Sequence, residues 1–358
     1  MRNKKILHIV DKYGFGGVET IIYQLIEKFK QKNTKTYYLF LRDRKFKKKI
    51  KKKNIFIEDF KKFDPINPLK KIKKIINEKK INTIHTHSRK GFYLAYLLGK
   101  IFKKIKFIHH EHGDILQKNP IYSTVFRLFS KRINLVIAVS KTAKKKLIEK
   151  AKINPKKIKV LYNFVDLERF SKKNIKINVN KEKKKLKIKP DEFAIGFVGR
   201  LAKIKGCEDL IKSLPSLEIK YKVLIAGDGP EKRKLKKLAK NLKVEDKIIF
   251  LGYINKPERI YPLLDVLVMP SLSEASPMSL YEAFAMEIPV IARKIPQFEE
   301  YIFNEKNGLL FKNQKELINN IKRLKKDEKL FQKIRKKSLE SSKLYRLDKF
   351  MKSLKEMY

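Results

Sequence analysis

The sequence predicts an α/β protein of two doubly wound domains in tandem with a ligand cleft between them. Three observations predict it. The chain is 358 residues long, the length of about two domains. Short apolar runs alternate with longer, Lys-coated amphipathic segments, the pattern of parallel strands covered by helices. The alternation is broken once, over residues 171–190, and then restarts.

The first strand is expected at 5–10, followed by a Gly-rich loop and a helical pattern over 20–30. Further apolar runs at 37–41, 81–85, 107–110 and 135–139 read as strands. Ser171-Lys172-Lys173-Asn174 and the charged run 181–185, closed by Pro190, read as a linker. Beyond it, strands are expected at 193–198, 222–226, 248–251, 266–269 and 289–292. The expected organisation is a first domain over 1–170, a linker over 171–190 and a second domain over 191–340. A closing helix over 341–358 is expected to pack back on the first domain.

Composition narrows the classes. Hydrophobic residues make up 42% and aromatics 11%, enough for real cores, so a mainly disordered chain is excluded. The single cysteine, Cys207, excludes an internal disulfide and fits a reducing compartment. No apolar run approaches the ~20 residues of a membrane span. The run Ile6-Leu7-His8-Ile9-Val10, ended by Asp11, is too short for a leader. A cytoplasmic location is expected.

The formal charge is +52, from 89 basic and 37 acidic residues. Such a balance points to an anionic partner: nucleic acid, a membrane surface or a phosphate-bearing substrate. Only 14 of the basic residues are Arg, against 75 Lys. Lys suits a solvated surface, whereas Arg is preferred for bidentate contacts to phosphates and bases. Codon bias toward Lys, Ile and Asn is the simpler source of most of the excess. The first 200 residues carry +39, while the window 251–300 carries −3. That window is expected to be buried or to hold a site where Lys would interfere.

Four motifs carry chemistry. Gly14-Phe15-Gly16-Gly17-Val18-Glu19 lies between the first strand and first helix, where glycines let backbone N–H groups approach a phosphate. A tight turn would use the same residues. Asp43, ending the second strand, keeps a weak nicotinamide reading open. All six histidines precede residue 113, with His85 and His87 at one strand end and His109, His110 and His112 at another. Alternate residues on a strand point to opposite faces, and no carboxylate or Cys is regularly spaced with these histidines. No metal is therefore expected; His112 is the best candidate to touch substrate. Arg200, after a strand, and Lys205, five residues on, could clamp a diphosphate. In Glu274-Ala275-Ser276-Pro277-Met278-Ser279-Leu280-Tyr281-Glu282, Ser276 reads as an N-cap and Pro277 as the first helical residue. The N–H groups of Met278, Ser279 and Leu280 would be free for a ligand. Two carboxylates around an open helix start suit a polyol.

In order, these motifs resemble glycosyltransferase family 4, group 1-type retaining enzymes of the GT-B fold, with two Rossmann-like domains. Gly16-Gly17-Val18-Glu19 resembles the family's G-G-x-E, and Glu111-His112-Gly113 its x-H-G strand end. Gly199-Arg200-Leu201 with Lys205-Gly206 resembles G-R-L…K-G. Ala226-Gly227-Asp228-Gly229-Pro230, Phe250-Leu251-Gly252-Tyr253 and Asn307-Gly308-Leu309-Leu310 match further family segments, and Glu274 with Glu282 fits E-x7-E. Departures fall in loops around the donor: Ala275, Glu287, Pro296-Gln297 and Phe164 stand where the family often has Gly.

The resemblance implies roles. Arg200 and Lys205 would bind the diphosphate of a nucleotide-sugar donor. Glu282 would hold the ribose. Glu274 with the backbone of Ser276, Met278 and Ser279 would hold the sugar. Gly16 and Gly17 would approach the diphosphate, His112 would sit near the anomeric centre, and the base would lie by Tyr253. UDP is the favoured carrier, with no separate cofactor and no metal. The acceptor would be a glycan or lipid-linked molecule of lipopolysaccharide or surface polysaccharide synthesis. Residues 42–53, 69–76 and 121–133 mix Lys or Arg with Ile, Leu and aromatics, as interfacial segments do, so peripheral contact with an anionic membrane is expected. A nucleotide-sugar epimerase and a basic nucleic-acid binder are the alternatives. No nucleic-acid motif is present, and no nucleic-acid partner is expected.

Overall fold

In the computed structural model the chain divides into two compact units, Met1–Asn163 with Phe350–Tyr358, and Phe164–Lys349. Residues 3–14, 16–29, 33–43, 52–60, 66–113 and 120–358 are described, those at 120–123 and 125 by backbone alone.

The first unit holds a sheet of β1 (Lys4–Val10), β2 (Thr34–Phe40), β3 (Ile55–Ile57), β4 (Thr83–Thr86), β5 (Lys106–Glu111), β6 (Leu135–Ala138) and β7 (Ile158–Val160). Their order is β3-β2-β1-β4-β5-β6-β7, and every pairing is parallel. β4 and β6 are buried at every position, which is why β6 (Leu-Val-Ile-Ala) reads as a continuous apolar run rather than an alternating one. β3 and β7 escaped the sequence reading because three residues each are too few to show a period. Ser88 and Ser140 cap the helices Arg89–Ile101 and Lys141–Glu149, each hydroxyl accepting from a first-turn amide. The first helix runs Gly17–Lys28, so it begins before the expected Thr20. Gly16 serves as its N-cap and its carbonyl accepts from Thr20 N–H.

The second unit repeats the winding with β8 (Phe193–Val198), β9 (Tyr221–Ala226), β10 (Ile248–Gly252), β11 (Val266–Met269), β12 (Val290–Arg293) and β13 (Leu309–Phe311). The order is β10-β9-β8-β11-β12-β13, again all parallel. Residues 171–190, expected as a linker, belong to this unit and carry the helix Val179–Lys185, capped by Asn178. The core lies between sheet and helices. Ile195, Val223, Ile225 and Val268 face Leu210, Ile211, Leu317 and Ile321 in one apolar cluster. Leu7, Ile9, Leu39 and Ile84 form its counterpart in the first unit with Ile72, Phe92 and Leu98.

The segments expected at a membrane surface behave differently from the expectation. Ile72, Ile75 and Ile76 are buried in the first unit's core. Phe126 is 3% exposed and stacks on Phe92, and Phe129 stacks on Tyr96 at 3.9 Å. These apolar side chains are spent on packing, while Leu128, 47% exposed, stays outward beside the basic residues. Residues 44–51 of the first such segment lie outside the described residues. Among the described residues, no helix is long and apolar enough to cross a membrane.

Candidate active site

In an open doubly wound sheet, ligands bind beyond the carboxyl ends of strands where the strand order reverses. In the second unit that point lies between β8 and β11. Arg200 and Lys205 follow β8, and Glu274, Ser276, Met278, Ser279 and Glu282 follow β11. Gly206 closes the β8 turn in the left-handed region, φ 65°, and a Cβ there would stand 2.1 Å from the Pro270 carbonyl oxygen. Only Gly lets the loop after β8 lie against the start of the loop after β11.

Two clamped carboxylates define the geometry. Lys205 Nζ donates to Glu274 Oε1 at 2.7 Å and Oε2 at 2.8 Å, and Ser271 Oγ donates to Oε1 at 2.8 Å. Glu274 is 8% exposed, so removing this ammonium would leave a buried carboxylate without a cationic partner. Arg200 is exposed and forms no ion pair among the described residues. The two cations therefore differ: Lys205 is committed to a carboxylate and Arg200 is available to an incoming anion. Glu282 sits within the helix Met278–Ala285 and is buried. Tyr261 Oη donates to its Oε2 at 2.6 Å. Burial raises the Glu282 carboxyl above its ordinary value, and the Tyr261 bond and the Arg169 charge oppose this. Arg169 is itself held by Glu258, its Nε and Nη2 donating to Oε2 at 3.2 and 2.9 Å.

The helix start departs from the sequence expectation. Pro277, not Ser276, is the N-cap, and no side chain caps the helix. Ser276 Oγ instead pairs with Tyr281 Oη at 2.7 Å. Leu280 N–H, expected to be free, donates to the Pro277 carbonyl at 3.2 Å, and the Met278 and Ser279 amides have no side-chain cap. Tyr253, just past β10, is half exposed.

In the first unit the order reverses between β1 and β4. Gly16 and Gly17 follow β1; Phe15 and Asp114 lie outside the described residues. A Cβ on Gly16 would fall 2.2 Å from Glu19 Oε2. His8 lies within β1 opposite His85, His85 and His87 flank the end of β4, and His110 and His112 flank the end of β5. Strand alternation was expected to keep these rings apart. Instead it gathers them, because positions two apart share a face. His85 and His87 lie 4.2 Å apart and His110 and His112 4.0 Å apart, centroid to centroid. His109 points to the other face, edge-on to Phe92 and Phe126. His8, His85 and His87 offer nitrogens within 4.8 Å of one another, as do His87, His110 and His112. Burial lowers His8 and His112 to about 3, and His85, His87 and His110 well below 6.5, so the cluster is neutral at physiological pH. Glu111 accepts from Gly113 N–H at 2.9 Å and fixes the turn that carries His112.

Thus Arg200, Lys205, Glu274, Ser276, Met278, Ser279 and Glu282 converge at one strand-end region of the second unit. Gly16, Gly17 and His112 occupy the equivalent end of the first. The sequence reading missed Tyr261 and Ser271, which hold the carboxylates, Arg169, whose charge acts on Glu282, and His8. The scarcity of Arg in a Lys-rich chain is the signal that could have flagged Arg169.

Residues 15–169 match the family model described as Glycosyltransferase Family 4, and residues 178–340 match Glycosyl transferases group 1. The chain belongs to the group 1 glycosyltransferases. The N-acetyl-alpha-D-glucosaminyl L-malate synthase of Bacillus anthracis is 26% identical over 67% of this chain and 64% of that relative. The alpha-monoglucosyldiacylglycerol synthase of Acholeplasma laidlawii is 30% identical over 49% of this chain and 46% of that relative. These matches therefore span about half to two thirds of the relatives' length. The fold is GT-B. HepE of Anabaena, solved with UDP and glucose, superimposes with a TM-score of 0.87 at 20% identity, covering 99% of both chains. WaaG, a glycosyltransferase involved in lipopolysaccharide biosynthesis, gives 0.76 at 13% identity over 98% of this chain and 99% of that one.

Proposed function

We propose that the protein is a retaining hexosyltransferase that takes its sugar from a nucleotide-diphosphate donor, with UDP the favoured carrier. The acceptor is a glycan or lipid-linked molecule of lipopolysaccharide or surface polysaccharide assembly. The observation that carries this reading is the pair of clamped carboxylates around the open start of the helix Met278–Ala285, with the exposed Arg200 across the strand-order reversal. Carboxylates accept from hydroxyls and amides donate to sugar oxygens. A guanidinium is suited to phosphate oxygens.

The residues divide the work. Arg200 takes the diphosphate. Lys205 holds Glu274 oriented toward the sugar and lends its charge to the departing phosphate. Glu282, oriented by Tyr261, receives the ribose hydroxyls, and the backbone of Ser276, Met278 and Ser279 borders the sugar. Tyr253 borders the base. In the first unit, Gly16, Gly17 and His112 are the substrate-facing groups. Transfer proceeds by front-face attack: the acceptor hydroxyl bonds to the anomeric carbon as the bond to the diphosphate breaks, and the leaving diphosphate takes the proton. Catalysis is then electrostatic stabilisation of the leaving charge, which Arg200, Lys205 and the helix start supply without a divalent metal. The outward lysines of the first unit favour an anionic membrane face, by charge rather than insertion; failure to co-sediment with anionic vesicles at low salt would remove this part.

The test is thermal stabilisation by UDP, GDP and ADP, with Arg200→Ala as control. A ligand at 100 times its Kd adds about 2.7 kcal/mol. A shift with one nucleotide that disappears in the variant is expected. No shift with any of the three in folded protein would overturn the donor site.

A further inference from the structure

We infer that His8, His85 and His87 hold one transition-metal ion of the kind that imidazole ligands select, with zinc the first choice, as a structural tie inside the first unit. The site uses none of the residues given a part in the proposed transfer, and it does not rest on that reading.

The strand register brings the rings together. β1 and β4 pair with His8 opposite His85, and His87, two residues on, shares that face. The ground for expecting no metal, alternation along a single strand, therefore does not apply. The three rings come from two neighbouring strands and the turn that follows one of them. One nitrogen from each ring lies within 4.8 Å of the others, and His8 Nδ1 and His87 Nε2 are 2.9 Å apart. An ion bound at ~2.05 Å in tetrahedral geometry sets its nitrogens ~3.3 Å apart, which falls between those two separations. The rings are 1%, 0% and 4% exposed. Burial keeps them neutral, the form in which imidazole binds a metal.

The outer nitrogens support the assignment. With His8 Nδ1, His85 Nε2 and His87 Nε2 turned to the ion, each ring carries its proton on the other nitrogen, and each of those nitrogens has a partner. His85 Nδ1 lies 2.7 Å and His8 Nε2 3.4 Å from Tyr358 Oη, whose two lone pairs can accept both. His87 Nδ1 lies 3.0 Å from His112 Nε2. Ligating histidines ordinarily spend the second N–H in this way, which fixes the ring and raises its basicity. The competing arrangement is a proton between His8 and His87. It leaves His85 Nε2, sealed in the core, with no hydrogen-bond partner among the described residues; the ion supplies one. His87, His110 and His112 also bring three nitrogens together. There the ligand His112 would turn Nε2 to the ion and leave its Nδ1–H without an orienting bond, so the first trio is favoured. Imidazoles suit zinc, copper, nickel or iron, whereas Mg²⁺ takes oxygen ligands. The ion is therefore not the diphosphate-bound metal that the proposed mechanism does without. Enclosed by buried rings, it stays in the folded chain when a chelator is added outside.

The experiment is elemental analysis of the full chain, made without a metal-binding tag, after unfolding in guanidinium with EDTA and refolding with or without Zn²⁺. One zinc ion per chain is expected after refolding with Zn²⁺ and dialysis against EDTA. At ~100 times its Kd, Zn²⁺ should raise Tm by ~5–10 °C over the chelated form. Co²⁺ in its place should give the visible absorption of a tetrahedral, nitrogen-ligated ion. His85→Gln should lose both the ion and the Tm rise, whereas His110→Gln, which alters only the second trio, should keep both. If His85→Gln does not fold, the wild-type stoichiometry, Tm and Co²⁺ spectrum decide. No ion bound after refolding with Zn²⁺, an ion retained by His85→Gln, or an ion lost from His110→Gln would overturn the inference. None of these readings needs turnover, so failure to find glycosyl transfer would count against the proposed function and leave the ion site standing.

Discussion

Replacing Tyr261 by Phe removes a single oxygen from the interior of the second unit, and the consequence can be worked from its surroundings. Tyr261 is fully buried, and its hydroxyl donates to Glu282 Oε2 at 2.6 Å. Hydrogen bonds to an ionised partner contribute about 1.5–3 kcal/mol. A unit of this size loses roughly 2–4 °C in Tm per kcal/mol. At about 2 kcal/mol, the expected loss is about 4–8 °C. The effect also has a pH signature. Burial raises Glu282 above 4.5 in the fold, so its contribution favours folding below the unfolded value and is lost as pH rises through the folded one. The Tyr261 bond opposes that rise. Without it the folded value moves higher, and the variant loses more stability relative to the wild type as pH increases. Thermal melts at about pH 5 and about pH 8 should therefore show a larger deficit at the higher pH. A deficit under about 1 °C, or one independent of pH, would refute the assignment of Tyr261 as the partner of an ionised Glu282.

Lys205→Met leaves Glu274 buried without its ammonium and should destabilise the second unit by about 2–3 kcal/mol. That is less than for a sealed pair, because the Lys205 side chain is 28% exposed; adding Glu274→Gln should recover part of the loss in urea melts. Gly206→Ala must accommodate a Cβ at 2.1 Å from a carbonyl oxygen at φ 65° and should cost at least ~2 kcal/mol, read as a lower urea midpoint with unchanged slope. Transfer activity should survive EDTA unchanged, and a loss restored by Mg²⁺ would refute the metal-free mechanism.

Most of the fold was legible because both sheets are parallel and buried on both faces, so strands such as β8 and β11 stand out as unbroken apolar runs between amphipathic helices. What was not legible depends on tertiary placement. The pairing of Lys205 with Glu274 joins positions far apart in the chain, and nothing local marks either as the other's partner. Ser276 has the chemistry of a cap, and its local sequence is that of one. Tyr281 offered its hydroxyl a better-shielded partner, and the helix begins uncapped. The sequence of 121–133 could not say which of its aromatics are spent on the core: Phe126 is packed against Phe92, while Leu128 is exposed. The histidines were visible, but their meeting on one face required the register that sets His8 opposite His85.

The first unit is discontinuous in the chain: Phe350–Tyr358 completes it after the whole of Phe164–Lys349 has intervened. During synthesis, domains ordinarily fold in the order in which they emerge. Here the sheet that emerges first lacks Phe350, Met351, Leu354 and Tyr358, all buried in the finished protein, until the later unit has left the ribosome. His85 gains its hydroxyl partner last of all, since that hydroxyl belongs to Tyr358. The pairing of His85 with Tyr358 thus waits for Phe350–Tyr358, and a product terminated before that segment would carry the sheet without the hydroxyl that meets His85.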